Sequence, residues 1–193
     1  MGTTRADILR RRPLRLILIV GLALRILAAF NSPGYLMHDD HFLVVETGAS
    51  WAVGEDYNNW MPWSQRANGI ENPTPHQANL AYAGIVSGYF RVCNAMDFVD
   101  PAGQMLLLRL LHGLFSLLIV ALGFRIAEKL GGERPAQWTG WALAAFGLFP
   151  LLGVRQLVEV VCIAPLLWAA WVVVRTERRT WKTWALAGIG IGI

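Results

Sequence analysis

Residues 13–30 (PLRLILIVGLALRILAAF) form an apolar run whose one charge beyond its opening turn is Arg25. A helix that crosses a bilayer needs about 20 mostly apolar residues, because the hydrocarbon core is about 30 Å thick and an α-helix rises about 1.5 Å per residue. Further runs of this kind cover 104–124, with Arg109 and His112 inside it, then 138–153 and 156–174. A fifth begins near Thr183 and is still apolar at Ile193. The pair 138–153 and 156–174 reads as a helical hairpin broken near Pro150–Gly153, with Arg155 and Glu159 close to its turn. Such a chain is expected to be all-α, a polytopic helical membrane protein. It is further expected to be the N-terminal portion of a longer transmembrane domain.

Composition points the same way. Of the 193 residues, 55% are hydrophobic and only 16% charged, where a soluble domain has about a quarter charged. Mean hydropathy is +0.42. A soluble single-domain enzyme, a disordered regulator and a disulfide scaffold are all excluded. The net charge of +4 is clustered rather than spread over a face, so no nucleic-acid partner is expected. Cys93 and Cys162 are too few and too far apart for a disulfide framework or a zinc site.

Arg5, Arg10, Arg11 and Arg12 precede the first run, as in a signal peptide. The apolar stretch nevertheless continues past Arg25 to Phe30 with no small-residue cleavage site after it, which reads as a retained signal-anchor helix. Twelve of the seventeen Lys and Arg fall before or at the start of the first run, after the second, or after the fourth. The positive-inside rule assigns those stretches to the cytoplasm. Residues 31–103 then lie outside, with eight carboxylates against two arginines, Arg66 and Arg91. Residues 77–96 are apolar enough to be weighed as a span, but Asn79, Ser87 and Arg91 interrupt them, and a crossing there would move seven basic residues outside. An amphipathic helix lying in the outer interface fits better.

A loop as long as 31–103 is expected to carry function. Its first part, HDDHFLVVETGASWAVG, reads as a short helix starting at Asp39 or Asp40. Phe42, Val45, Ala49 and Ala52 recur at helical spacing, and Gly54 ends it. Residues 55–76 read as irregular and rich in Trp, Tyr and Pro, as beside a membrane–water interface. An acidic pair of this kind often does no more than cap a helix. Here it follows the first run by only a few residues, and His38 and His41 flank it. Arg25, Arg109 and Arg155 are expected near the same outer boundary, and charges within spans are costly and usually paired or functional. Carboxylates with arginines at an outer interface suit a reaction between a polar acceptor and a lipid-linked phosphate. Adjacent residues on one helical turn point about 100° apart, so His38, Asp39, Asp40 and His41 do not all converge on one metal ion. No metal or cofactor is expected. His41 is expected to orient a neighbour or pack at the interface, His112 to be buried and hydrogen-bonded, and His76 to have no role.

The order of elements resembles the N-terminal half of GT-C membrane glycosyltransferases. Those elements are a first span, Met37-His38-Asp39-Asp40-His41-Phe42, an interfacial helix, a Trp-rich stretch from Trp60 to Arg66, a second interfacial helix, and LLLRLLHGL opening the next span. The closest likeness is to the family 22 mannosyltransferases of GPI-anchor and lipid-linked oligosaccharide synthesis, whose motif reads His-Pro-Asp-Glu. Asp39 aligns with the family aspartate and Asp40 with its glutamate, while Met37 and His38 stand where His-Pro would be. The segment from Arg155 to Glu159 is similar to the family's outer turn before the fourth span.

The resemblance implies transfer of a sugar, with mannose expected, from a polyprenyl or dolichyl phosphate carrier to a glycan or lipid acceptor on the outer face, with inversion. It makes Asp39 the general base with Asp40 beside it. Arg109, Arg155, Arg66 and Arg25 would bind the donor phosphate, with His41 and Glu159 in support. A monophosphate leaving group needs less cationic help than a diphosphate, so this chemistry requires no metal. The alternatives are another GT-C class, such as a protein O-mannosyl- or aminoarabinose-type transferase, a transporter piece, or a non-catalytic membrane subunit. A bacterial inner membrane is the expected location, or the ER membrane in a eukaryote.

Overall fold

The computed structural model describes residues 5–34, 38–74 and 80–192, and these contain helices and connecting turns but no strand. The chain divides into two compact units, residues 1–34 with 108–193, and residues 35–107.

The first unit holds α1 (Arg5–Asn31), most of α6 (Pro101–Gly131), α7 (Glu133–Ala145), α8 (Leu148–Leu152), α9 (Val158–Arg175) and α10 (Trp181–Gly192). Among the described residues, three helices are long and apolar enough to cross a membrane: Pro13–Asn31 of α1, α6 and α9. The runs at 13–30, 104–124 and 156–174 fall on them. The run at 138–153 is not one helix. It breaks at Phe146, whose backbone turns extended (φ −65°, ψ 115°), four residues before Pro150. A proline ring clashes with the carbonyl four residues back and cannot bond to it, which adds a break upstream of the expected one near Pro150–Gly153, where the chain also turns between Leu152 and Val158. The core of this unit is Leu14, Ile17, Val120, Phe124, Ala136 and Ala144, from α1, α6 and α7. A Cβ at Gly140 would lie 2.9 Å from Phe124 Cδ2 and 3.0 Å from Ile17 Cδ1, so glycine lets α7 sit against both neighbours.

The second unit holds α2 (His38–Asp40), a π-helical turn (His41–Glu46), α3 (Thr47–Ala52), α4 (Pro62–Ala67) and α5 (Ala81–Ala95). The helix expected from Asp39 is therefore interrupted by a wider turn. Its buried residues are Val44, Val45, Thr47, Gly48 and Trp51, not the set predicted at a constant 100° per residue. The Phe42 carbonyl, displaced by the π turn, accepts from Thr47 Oγ1 (3.1 Å) and Asn58 Nδ2 (3.4 Å). The stretch expected to be irregular contains α4 and is tied by side chains. Asp56 accepts from Trp51 Nε1 (2.9 Å) and the Met61 amide (2.7 Å), and Gln65 bonds both backbone groups of Thr74. Helix α5 buries Ala83, Val86, Ser87, Phe90 and Cys93 on one face. Its opposite stripe, Ile85, Val92 and Met96, is apolar and exposed, which suits a helix lying in an interface. Asp100 caps α6 by accepting from the Gly103 amide at 2.8 Å, with Pro101 at its first position.

Candidate functional site

Within the first unit, two arginines from distant parts of the sequence meet at one carbonyl. Arg109 projects from α6, and Arg155 from the turn between α8 and α9. That turn is held by hydrogen bonds from the Gly153 amide to Phe149 O (2.9 Å) and from the Arg155 amide to Leu152 O (3.0 Å). Gly113, one turn after Arg109, leaves room for Val154, whose Cγ1 would lie 3.3 Å from a Cβ there. Both guanidiniums reach Gly34 O: Arg109 Nη2 donates at 3.3 Å, and Arg155 Nη1 donates to the same oxygen. Gly34 has φ +75°, a conformation glycine adopts without strain, and it turns its carbonyl toward the pair.

The pair is buried and electrostatically uncompensated. Arg109 is 8% and Arg155 7% exposed, and the Nε of each is buried without a hydrogen-bond partner. No carboxylate among the described residues forms an ion pair with either. Burial, and then the charge of Arg109, lowers the Arg155 pKa from its ordinary value. A buried cationic pair favours an anionic counter-charge, and Arg guanidiniums match phosphate oxygens in a bidentate fork.

Arg25 takes a different part from the one expected. It is 3% exposed, and all three of its nitrogens have acceptors. Nε donates to Ser116 Oγ at 2.7 Å, Nη1 to Gly21 O at 3.1 Å and Ala144 O at 3.4 Å, and Nη2 to Leu143 O at 3.3 Å. Leu143 and Ala144 lie in the last turn of α7, where carbonyls lack helical partners and the helix dipole favours a cation. Arg25 is thus a structural clamp joining α1, α6 and α7, and its donors are committed to protein rather than to phosphate. Ser116→Ala would leave the buried Nε without an acceptor, and we expect a loss of about 1–3 kcal/mol. The thermal midpoint in detergent checks this; an unchanged midpoint would show that Ser116 adds nothing to the clamp.

In the second unit, the Asp39 side chain is 90% exposed, with His38 Nδ1 at 3.6 Å. Asp40 is half-buried near Tyr82, whose pKa is raised by burial first and by the Asp40 charge second. The two carboxylates therefore have different surroundings, one open to solvent and one held against the unit. His41 Nε2 lies 3.1 Å from Glu46 Oε1. Residues five apart face each other across an i→i+5 turn, whereas at 100° per residue they would be about 140° apart. His41 thus orients Glu46 and pins the π turn. Arg66 is exposed on α4, and Glu159 is exposed in the first turn of α9, where the helix dipole favours an acid. His112 contacts the Arg155 backbone. Met37 and His76 lie outside the described residues.

Gly34, Ser116 and Tyr82 were not singled out by sequence. The Pro33-Gly34 dipeptide favours a turn, but a backbone acceptor carries no side-chain signature. Among the described residues the fold is all-helical with three bilayer-length helices, compatible with a multi-pass integral membrane protein. No protein family, curated protein or solved structure matches it.

Proposed function

We propose that this protein is a GT-C-type membrane glycosyltransferase. It moves a sugar, with mannose the first candidate, from a polyprenyl or dolichyl phosphate carrier to a glycan or lipid acceptor on the outer face of the membrane. The observation that carries this reading is the buried Arg109–Arg155 pair, with two unpartnered Nε atoms and no carboxylate among the described residues to neutralise it. A buried cationic pair of this kind suits a leaving phosphate that gains negative charge as the glycosidic bond breaks. The exposed Asp39 suits a base that must reach an acceptor hydroxyl, and the half-buried Asp40 suits a residue that positions it. The resemblance of the order of elements to that of GT-C enzymes supports the same assignment.

The test is transfer of radiolabelled sugar from a polyprenyl-phosphate donor into a lipid or glycan fraction by membranes containing the protein. Absence of transfer from every such donor would overturn the proposal. Arg109→Lys keeps the charge but loses the planar fork. We expect it to cut turnover by about 10²-fold, the scale of one lost transition-state donor. Wild-type turnover and donor KM in that variant would instead indicate a residue that only snorkels toward the interface.

Sidedness is tested separately. With Cys93 and Cys162 replaced by alanine, cysteines introduced at the exposed positions Asn68 and Glu177 should react from opposite sides of the membrane with an impermeant reagent. Reaction of both from one side would overturn the topology.

A further inference from the structure

Two guanidiniums share Gly34 O as acceptor, and each keeps a buried Nε without a partner. Their formal charge is two. A sugar–phospholipid donor is a phosphodiester with one negative charge and two terminal oxygens. The lipid phosphate left after transfer is a monoester with three terminal oxygens and a charge of about −1.5 to −2 at pH 7. We infer that the Arg109–Arg155 site selects the phosphomonoester dianion over the phosphodiester monoanion, so that the lipid phosphate product is held more tightly than the sugar donor.

The lipid's identity rests on the proposed function; the charge matching rests on the two arginines. In the transfer step, sugar C1 bonds to the acceptor oxygen, whose proton passes to a general base. The C1–O electron pair stays on the departing phosphate, which moves from one negative charge toward two. The site is therefore complementary to the charge that develops in the transition state rather than to the ground state. The same complementarity makes free lipid phosphate a competitive inhibitor and makes its release a slow step.

The experiment is calorimetric titration of the whole chain in detergent at pH 7.5 and pH 5.5 with three probes: dodecyl phosphate, dodecyl methyl phosphate and inorganic phosphate. At pH 7.5 the monoester should bind about tenfold or more tightly than the diester, as charge-assisted pairing to a dianion requires. At pH 5.5, below the second phosphate pKa of about 6, that preference should shrink. The diester's charge is constant, so its arm reports any titration of His112, which contacts the Arg155 backbone. Arg109→Gln and Arg155→Gln should each lose the preference.

Equal affinity for monoester and diester at pH 7.5 overturns the inference, and leaves the proposed function standing if sugar transfer is observed. Inorganic phosphate binding as tightly as dodecyl phosphate supports the dianion preference but assigns the site to free phosphate, which overturns the proposed function. No binding of any probe overturns both. The wild-type comparison stands even where a glutamine variant fails to fold.

Discussion

Asp39→Asn is expected to yield a folded protein that binds donor normally and transfers sugar at about one-hundredth of the wild-type rate or less. The substitution keeps size and much of the hydrogen bonding but removes the proton acceptor, and a positioned carboxylate base contributes about 10²–10⁴-fold. The Asp39 side chain is 90% exposed and its contact with His38 is exposed as well, so stability should change little. Asp40→Asn should cost less activity and more stability, because Asp40 is half-buried and its charge is felt by Tyr82. Transfer from a polyprenyl-phosphate sugar, measured beside a thermal midpoint, separates the two effects. If Asp39→Asn retains activity and Asp40→Asn loses it, the base is assigned one residue too early. If both retain it, the acidic pair has no catalytic part.

Gly48→Leu is expected to disassemble the unit formed by residues 35–107. A Cβ at Gly48 would lie 2.8 Å from Val86 Cγ1 and 3.0 Å from both the Ala83 carbonyl oxygen and the Ser87 nitrogen. A side chain can rotate away, but the α5 backbone can yield only by moving the helix. The cost should reach about 3 kcal/mol, the upper part of the range for overpacked interiors, and exceed it if α3 leaves α5. Hydrogen exchange should rise across 38–52 and 81–95 and stay unchanged in α7 and α9. Wild-type protection in the first two stretches would show that the helices do not meet at Gly48.

The helical class and three bilayer-length runs were legible because length and apolarity are properties of contiguous residues. What the sequence hid depended on partners far away or on local departures from regular geometry. Arg109 and Arg155 were both singled out, but their meeting at Gly34 joins residues 75 and 121 positions apart. Arg25 was grouped with them because a buried arginine looks the same whether a phosphate or a helix end satisfies it. Its acceptors include main-chain carbonyls, which every residue has. Pro150 was visible as a helix breaker, and the chain does turn after Leu152, but its ring also excludes the Phe146 carbonyl and so adds a second break four residues upstream. The π turn defeated the periodicity used for 39–54, since a constant angular step gives the wrong buried face after one wider turn.

The Arg25 clamp also bears on the order in which the chain is made and assembled. A ribosome delivers α1 long before α7, and the Leu143 carbonyl that receives Nη2 comes 118 residues later. Until then the guanidinium has Gly21 O within its own helix but not the two carbonyls that end α7. An arginine without those partners is costly in hydrocarbon. On the membrane reading, α1 would therefore wait where water still reaches Arg25, at an interface or within the insertion machinery, until α6 and α7 have followed. Assembly of these three helices then becomes the event that lets the first one settle into lipid.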